Sequence, residues 1–485
     1  MAASLPAKLI AVLLCASALS ACATATMAPR YERPSSPAPS ALPYTEERGN
    51  ETATLVSWRA VFIDPELQRL IETGLENNRD LRLAVLNAER ARALYRVQRS
   101  DSLPSINAGY QYTRQRTGAN AATGIVGAST SGRTDPITTV QNTVSASVSS
   151  YELDLFGRVR SLNKQALESY FAEEETRKAA EVTIIAEIAS AYLQLVADTQ
   201  LLAIAEETVT NQQSSLDLTE RLLDTGVGND IDVQRVRISI EQAKADAASL
   251  SAQVERDRNA LRLLLGTATP ENLKVASTID AVKVNDDIPV GLSSDILLSR
   301  PDIQAAEHQL KAANASIGAA RAAFFPQILL TGSAGTASAE LTDLFAPGTG
   351  VWRFAPSVSV PIFTGGRNLA QLSGARIDRD IAKTQYEQSI EAAFRDIADA
   401  LATRQTIDER VNATERLAEA SAKAFSLSDL RFQNGVDDYF AVLEAQRTDY
   451  AARQQLVTAQ LAKASNAVNF FRSIGGPAQD QQAAN

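Results

Sequence analysis

The sequence predicts a mixed α+β chain, mostly helical, built from two similar halves that each hold a short strand pair inside very long helices. Three observations carry this. Spacings recur: 24 positions separate Asp80 from Pro104 and Asp302 from Pro326, 68 separate Arg158 from Gly226 and Arg367 from Gly435, and 40 separate Gly226 from Gly266 and Gly435 from Gly475. Between Arg158 and Asp224 there is neither proline nor glycine. Finally, four short segments change hydrophobic period from 3.6 to 2, the period of a strand with two unlike faces. Two repeats of about 200 residues are too few and too long for a short-period solenoid, so the pattern predicts an internal duplication. Leu81, Ala84, Ala88, Ala91 and Tyr95 correspond one for one to Ile303, Ala306, Leu310, Ala313 and Ile317.

The N-terminal elements come first. Residues 1–21 have the layout of a signal peptide: Lys8, an apolar core from Leu9 to Leu19, then small residues directly before Cys22. Leu19-Ser-Ala-Cys22 fits a bacterial lipoprotein signal, with lipid attached to the Cys22 thiol and cleavage before it. An ordinary signal peptide with an incidental cysteine is the alternative. Ala23, in place of an aspartate that would retain the protein at the inner membrane, favours the outer membrane. Residues 22–60 form a lipidated, Pro-rich tether carrying Pro29, Pro34, Pro37, Pro39 and Pro43. The first repeat then spans 61–266, with helical periodicity after Asp64 and Pro65. A connecting segment covers 267–299, the second repeat 300–475, and a disordered tail 476–485.

Within the repeats, long helices are expected over 158–225 and 231–265, then 367–434 and 439–474. Ile188, Leu195, Leu202, Val209, Leu216 and Leu223 fall at strict sevens, which implies a coiled-coil seam and a left-handed supercoil. At 1.5 Å per residue such a helix is a rod of about 100 Å. The partner helix follows the same frame through Val236, Ile240, Ala243, Ala247, Leu250, Val254, Leu261 and Leu264, broken only by Asp257. The 367–434 seam is weaker, and Arg404 interrupts it.

Strands are expected at about 104–116, 139–155, 326–337 and 352–363. In the first, Ile106, Ala108, Tyr110 and Tyr112 alternate with Asn107, Gly109, Gln111 and Thr113. Each is about 10 residues, enough to cross a bilayer when tilted. One face is apolar and the other small and hydroxylic, as a wall between lipid and water requires. Tyr110, Tyr112, Trp352 and Phe354 suit an aromatic girdle. Two hairpins packed on helices in a soluble α+β protein are the alternative. If the strands span, four cannot close a barrel, and an open edge in lipid leaves backbone groups unpaired. Two chains supply eight strands and three supply twelve; a water-filled conduit favours three.

Composition excludes several functions. The net charge of −10 becomes −11 without Lys8, which argues against nucleic acid as a partner. With one histidine, His308, and two cysteines, Cys15 and Cys22, nothing supplies a zinc site, and no cofactor is expected apart from the lipid on Cys22. There is no Gly-rich phosphate loop and no cysteine nucleophile, and His308 reads as a helix-surface residue, so no enzyme is expected. The turns Thr225-Gly226-Val227-Gly228-Asn229 and Asn434-Gly435-Val436-Asp437-Asp438 reverse the chain at the far ends of the rods, where Gly and Asn permit positive φ. Plain loop chemistry is the alternative to a docking role there.

The run Arg300 to Pro326 (RPDIQAAEHQLKAANASIGAARAAFFP) resembles the signature of outer-membrane efflux lipoproteins. So do SYELDLFGR ending at Arg158, PIFTGGR ending at Arg367, and RFQNGVDDYFAVLEAQR from Arg431 to Arg447. PRYERP from Pro29 and WRAVFIDP from Trp58 complete the set. In this order they identify the chain as similar to the TolC-like outer-membrane factors, in the OprM/NodT branch. The resemblance implies a homotrimer with one twelve-stranded transmembrane β-barrel in outer-membrane lipid, four strands per chain, continued by a long coiled-coil helical barrel in the periplasm of a Gram-negative bacterium. It implies a periplasmic adaptor docking at Gly226, Val227, Gly228, Asn229, Asn434, Gly435, Val436 and Asp437, and an inner-membrane transporter of the RND type. Asp232 matches the family position where an aspartate helps hold the periplasmic aperture closed. Its usual basic partner is here Asp437, so that latch is expected to be absent. Glu444 matches an acidic ring at the entrance; solvated helix-face acids are the alternative. The implied function is an exit duct for small molecules or drugs. A duct for protein secretion or metal-ion efflux shares the architecture. A non-conducting surface lipoprotein scaffold is disfavoured by the strand alternation.

Overall fold

The structure is a computed structural model that describes residues 26–39, 41–43, 57–118, 136–268, 273–285 and 294–476. Cys22, most of the expected loop between the first two strands, and the tail from 477 lie outside the described residues. The elements are α1 (Trp58–Val61), α2 (Pro65–Asn77), α3 (Arg79–Ser100), β1 (Ile106–Thr117), β2 (Ile137–Glu152), α4 (Arg158–Asp224), α5 (Asp230–Leu265), α6 (Pro301–Ala322), β3 (Gln327–Ser338), β4 (Gly350–Ser359), α7 (Arg367–Gln433) and α8 (Tyr439–Ile474). The described residues are mostly helical with one four-stranded sheet. The chain divides into two compact units: Met1–Arg33, Glu89–Phe171 and His308–Lys383 in the first, and Pro34–Ala88, Ala172–Glu307 and Thr384–Asn485 in the second.

In the first unit the sheet has the order β1-β2-β3-β4, every pair antiparallel, so β1 and β4 are its edges. Ala108 lies opposite Ala146, and Ala334 opposite Trp352. Gly335 pairs with Ser145 so closely that a Cβ would collide with the Val144 carbonyl oxygen. The β2–β3 register slips between Val148 and Tyr151, where Ser150 takes a φ of 57°. Such a bulge bends the strand, and β2 ends at Glu152 rather than at the expected 155. β4 ends at Ser359 rather than at 363, because Pro361 has no N–H to continue a ladder.

The chain leaving β2 is held by ion pairs. Arg158 Nε donates to Glu152 Oε1 at 2.9 Å and its Nη2 to Oε2 at 2.5 Å, while Asp154 Oδ2 accepts from the Arg160 backbone N–H at 2.9 Å. Phe156 stacks on Phe325 at 4.9 Å. These contacts account for the SYELDLFGR motif: its acids and its arginine form the hinge between strand and helix.

Two expectations for the first unit change. His308 is not a surface residue: its Nδ1 lies 2.7 Å from Glu168 Oε2, both side chains are largely buried, and its ring meets Phe171 at 5.4 Å. The tether is not free along its whole expected length. Asn314 Nδ2 donates to the Pro29 carbonyl at 2.8 Å, Arg321 Nη1 donates to that of Met27 at 3.1 Å, and Lys311 lies over the Tyr31 ring. Backbone carbonyls supply the acceptors that these α6 side chains need.

The second unit holds the larger apolar core. Trp58, Phe62, Leu67, Leu70, Ile71, Ile185, Ile188, Tyr192, Leu193 and Phe471 are fully buried, with Phe62 edge-on to Phe471 at 5.4 Å. Trp58 draws α1 into this core, so part of the expected tether up to residue 60 is helical. Within α4 an apolar stretch is long enough to cross a membrane by composition, yet Ile184, Ile185, Ile188, Leu193, Leu195 and Val196 are core residues of this unit. Asp64 caps α2 by accepting from Leu67 N at 2.8 Å. Asn78 Nδ2 donates to the Leu264 carbonyl at 2.7 Å near the end of α5, and Arg300 Nη1 donates to that of Ser473 near the end of α8.

The α4 seam differs from the expected row of sevens. Ile188 and Leu195 are fully buried, but Leu202, Val209, Leu216 and Leu223 are only half-buried. The deepest row beyond Leu195 is Asp198, Ala205, Gln212 and Thr219, also at sevens. Hydrogen bonding explains a polar row at depth: Gln212 Nε2 donates to Ser239 Oγ at 2.8 Å and to Gln446, and its Oε1 accepts from Tyr439 OH at 3.0 Å. In α7, by contrast, Tyr386, Ile390, Ala393, Ile397, Ala400, Ile407, Ala418 and Ser421 stay on one strict 3–4 frame of buried positions.

Candidate functional site

The two turns of the second unit are built alike. After α4, Gly226 has a φ of 76°, Val227 N donates to the Leu222 carbonyl at 3.1 Å, and the Asn229 side chain caps α5 by accepting from Ile231 N at 3.0 Å. After α7, Gly435 has a φ of 71°, Val436 N donates to the Arg431 carbonyl at 2.9 Å, and Asp438 caps α8 by accepting from Ala441 N at 3.2 Å. Glycine takes this left-handed geometry without the Cβ clash that penalises other residues. Val227 and Val436 occupy matching positions and are 80% and 60% exposed, an apolar group at each turn left uncovered among the described residues.

Beneath the turns Val236 and Ile240 of α5 pack with Tyr439 and Val442 of α8, and Leu216, Phe425, Phe432 and Leu443 close the cluster. All four long helices contribute. Tyr439 meets Phe432 edge-on at 5.5 Å, and burial pushes its hydroxyl up to about 12. It is therefore a neutral donor to Gln212 under all physiological conditions.

The acids singled out by the sequence each have an arginine nearby. Asp437 accepts from Arg431 Nε at 2.5 Å and from its Nη2 at 2.8 Å, and this guanidinium holds the carboxyl below the usual range. Asp232 pairs with Arg235 at 3.2 Å, and Glu444 with Arg447 at 3.4 Å. Asp437, which stands where the latch would place a basic residue, is itself paired with Arg431 near the end of α7. Arg235 also lies over the Phe440 ring at 5.3 Å, which brings the start of α5, with Asp232, against the start of α8, with Glu444. Glu444 keeps half of its side chain exposed. Sequence reasoning missed Gln212, Arg235 and Tyr439. Tyr439 stands inside the recognised RFQNGVDDYFAVLEAQR motif, whereas Gln212 sits among polar residues that read as solvent-facing.

A model of the outer membrane efflux protein family matches residues 70–267 and 292–476. Over 457 residues the chain is 40% identical to the toluene efflux pump outer membrane protein TtgC of Pseudomonas putida, covering 93% of this chain and 92% of that protein. Over 472 residues it is 39% identical to the outer membrane protein OprJ of Pseudomonas aeruginosa, covering 97% and 96%. The crystal structure of the open state of the MtrE outer membrane channel of Neisseria gonorrhoeae matches with a TM-score of 0.84 at 38% identity, over 94% of this chain and 100% of that one. With a family model matched over most of the chain and relatives about 40% identical over nearly its whole length, the chain belongs to the outer membrane efflux protein family.

Proposed function

We propose that this protein is the outer-membrane exit duct of a tripartite efflux pump, passing small molecules or drugs from the periplasm to the outside. The observation that carries the reading is the sheet. Four antiparallel strands with apolar and hydroxylic residues in alternation leave β1 and β4 as open edges, and in lipid each unpaired backbone group costs several kcal/mol. Three copies, joining β4 of one to β1 of the next, close a twelve-stranded barrel with a lumen. The helices extend the conduit as a helical barrel.

An internal duplication accounts for the paired dimensions: α4 and α7 are 67 residues each, and α5 and α8 are 36 each. The turns Gly226–Asn229 and Asn434–Asp437 close the helix ends farthest in sequence from the strands and dock a periplasmic adaptor, with Val227 and Val436 as its apolar contacts. Asp232, Glu444 and Asp437 surround the periplasmic aperture. The inner-membrane transporter is of the RND type, and a lipid on Cys22 anchors each chain in the outer membrane. TtgC, as its name states, belongs to a toluene efflux pump, which favours apolar small molecules as cargo.

The test is complementation of a bacterium lacking its own outer-membrane efflux component, read as dye accumulation, together with native mass spectrometry of the detergent-purified protein. Restored efflux and a trimer are expected. Gly226→Trp with Gly435→Trp should remove efflux and leave the trimer intact. A monomer, or a trimer that restores nothing beside its cognate adaptor and transporter, overturns the reading.

A further inference from the structure

The seam between α4 and α5 is interrupted by two acids that the conduit does not explain. Asp198 and Asp257 are 6% and 8% exposed, so each is more than nine-tenths buried. Each receives one amide hydrogen bond from a glutamine one turn earlier on its own helix: Gln194 Nε2 donates to Asp198 Oδ2 at 2.9 Å, and Gln253 Nε2 to Asp257 Oδ1 at 2.8 Å. The same Gln-x-x-x-Asp arrangement therefore faces itself across the helix pair. Among the described residues Asp257 Oδ2 has no donor, although it is buried. Its neighbour across the seam is another carboxyl, that of Asp198.

Two bare carboxylates in this position repel, and the bare Oδ2 bears a full desolvation cost. One proton removes both penalties. We infer that Asp198 and Asp257 form a proton-binding site, in which a proton on Asp257 Oδ2 is donated to Asp198 and ties α4 to α5. The amides of Gln194 and Gln253 each occupy one carboxylate oxygen, which leaves Asp257 Oδ2 for the proton.

The electrostatics agree in sign. Burial, the hydrogen bond to Asp198 and the Asp198 charge push the Asp257 carboxyl from its ordinary 3.8 up to about 6. Gln253 and Arg256 act in the opposite direction without cancelling this. Arg256 is exposed and spends its guanidinium on Gln253 Oε1, at 3.0 and 2.6 Å. A group whose folded value lies above its unfolded one stabilises the fold fully below the unfolded value, and that contribution is lost as the pH rises through the folded value. The helix pair is thus tied in mildly acidic surroundings and loosened above about pH 6, where two like charges stand between α4 and α5.

The full-length protein in detergent tests this by thermal unfolding from about pH 5 to about pH 8. The wild-type midpoint should fall by a few degrees across the range. Asp257→Asn should remove that slope and melt above the wild type at the alkaline end, since an amide donates to Asp198 without titrating. An unchanged slope, or an Asp257→Asn protein that melts lower at the alkaline end, overturns the inference. Infrared spectra of the wild type give a reading that needs no variant: a buried protonated carboxyl band should be present near pH 5 and disappear through about pH 6. Its absence near pH 5 overturns the inference, as does recovery of the alkaline midpoint on adding calcium, which would mark the pair as a cation site.

Discussion

Removing Tyr439 should loosen the turn-bearing ends of the long helices and leave the rest of the molecule in place. The side chain is 1% exposed, packs with Val236, Ile240 and Val442, and donates to Gln212. Tyr439→Ala removes a buried aromatic and leaves a cavity, a change that costs about 3 to 5 kcal/mol. Tyr439→Phe keeps the ring and deprives the buried Gln212 Oε1 of its donor, at about 1 to 3 kcal/mol. Because α4, α5, α7 and α8 all meet in this cluster, the loss falls on their local opening. A tenfold change corresponds to about 1.4 kcal/mol, so amide exchange in peptides 216–240 and 425–443 should accelerate by roughly two orders of magnitude or more in Tyr439→Ala. The Phe variant should show a fraction of this. Peptides around Gly266 and Gly475, which end α5 and α8 beside other partners, should exchange as before. Uniform acceleration over the chain, or none at the turns, would refute the idea that this cluster holds the four helices together there.

Gly335→Val places a side chain where even a Cβ would overlap the Val144 carbonyl oxygen, so β2 and β3 must part. Circular dichroism in detergent should show lost strand signal with helix retained; an intact sheet would mean the backbone can yield. The Glu152–Arg158 pair, whose side chains are only 15% and 33% exposed, should give a double-mutant coupling above about 1 kcal/mol. The exposed Glu444–Arg447 pair should stay within about 0 to 1 kcal/mol, and equal couplings would show that burial does not decide their strength. Glu444→Gln should weaken the cation preference of the purified channel in a planar bilayer, since Arg447 at 3.4 Å and 71% exposure neutralises little of that charge. Unchanged selectivity would make Glu444 an ordinary solvated residue.

Several features were legible from the sequence because their causes lie within a few residues. Helix ends follow from Gly226, Gly435, Pro301 and the capping Asp64 and Asn229; alternation over Ile106–Tyr112 is enough for a strand. The motif from Arg431 to Arg447 was legible as a family signature, although not the pairing of Arg431 with Asp437 inside it. Depth in the seam was another matter. A row of sevens through Leu202, Val209 and Leu216 has the right residues for a core, yet Gln212 lies deeper because Tyr439 and Gln446, more than 200 positions away, and Ser239 surround it with hydrogen-bonding groups. Asp257 looked like a defect in a frame until Asp198 stood opposite it, and His308 looked solvent-facing until Glu168 and Phe171 covered it. Backbone preferences act between near neighbours, so a sequence states them directly; burial and charge pairing depend on which distant side chains arrive, and only the packed chain decides that.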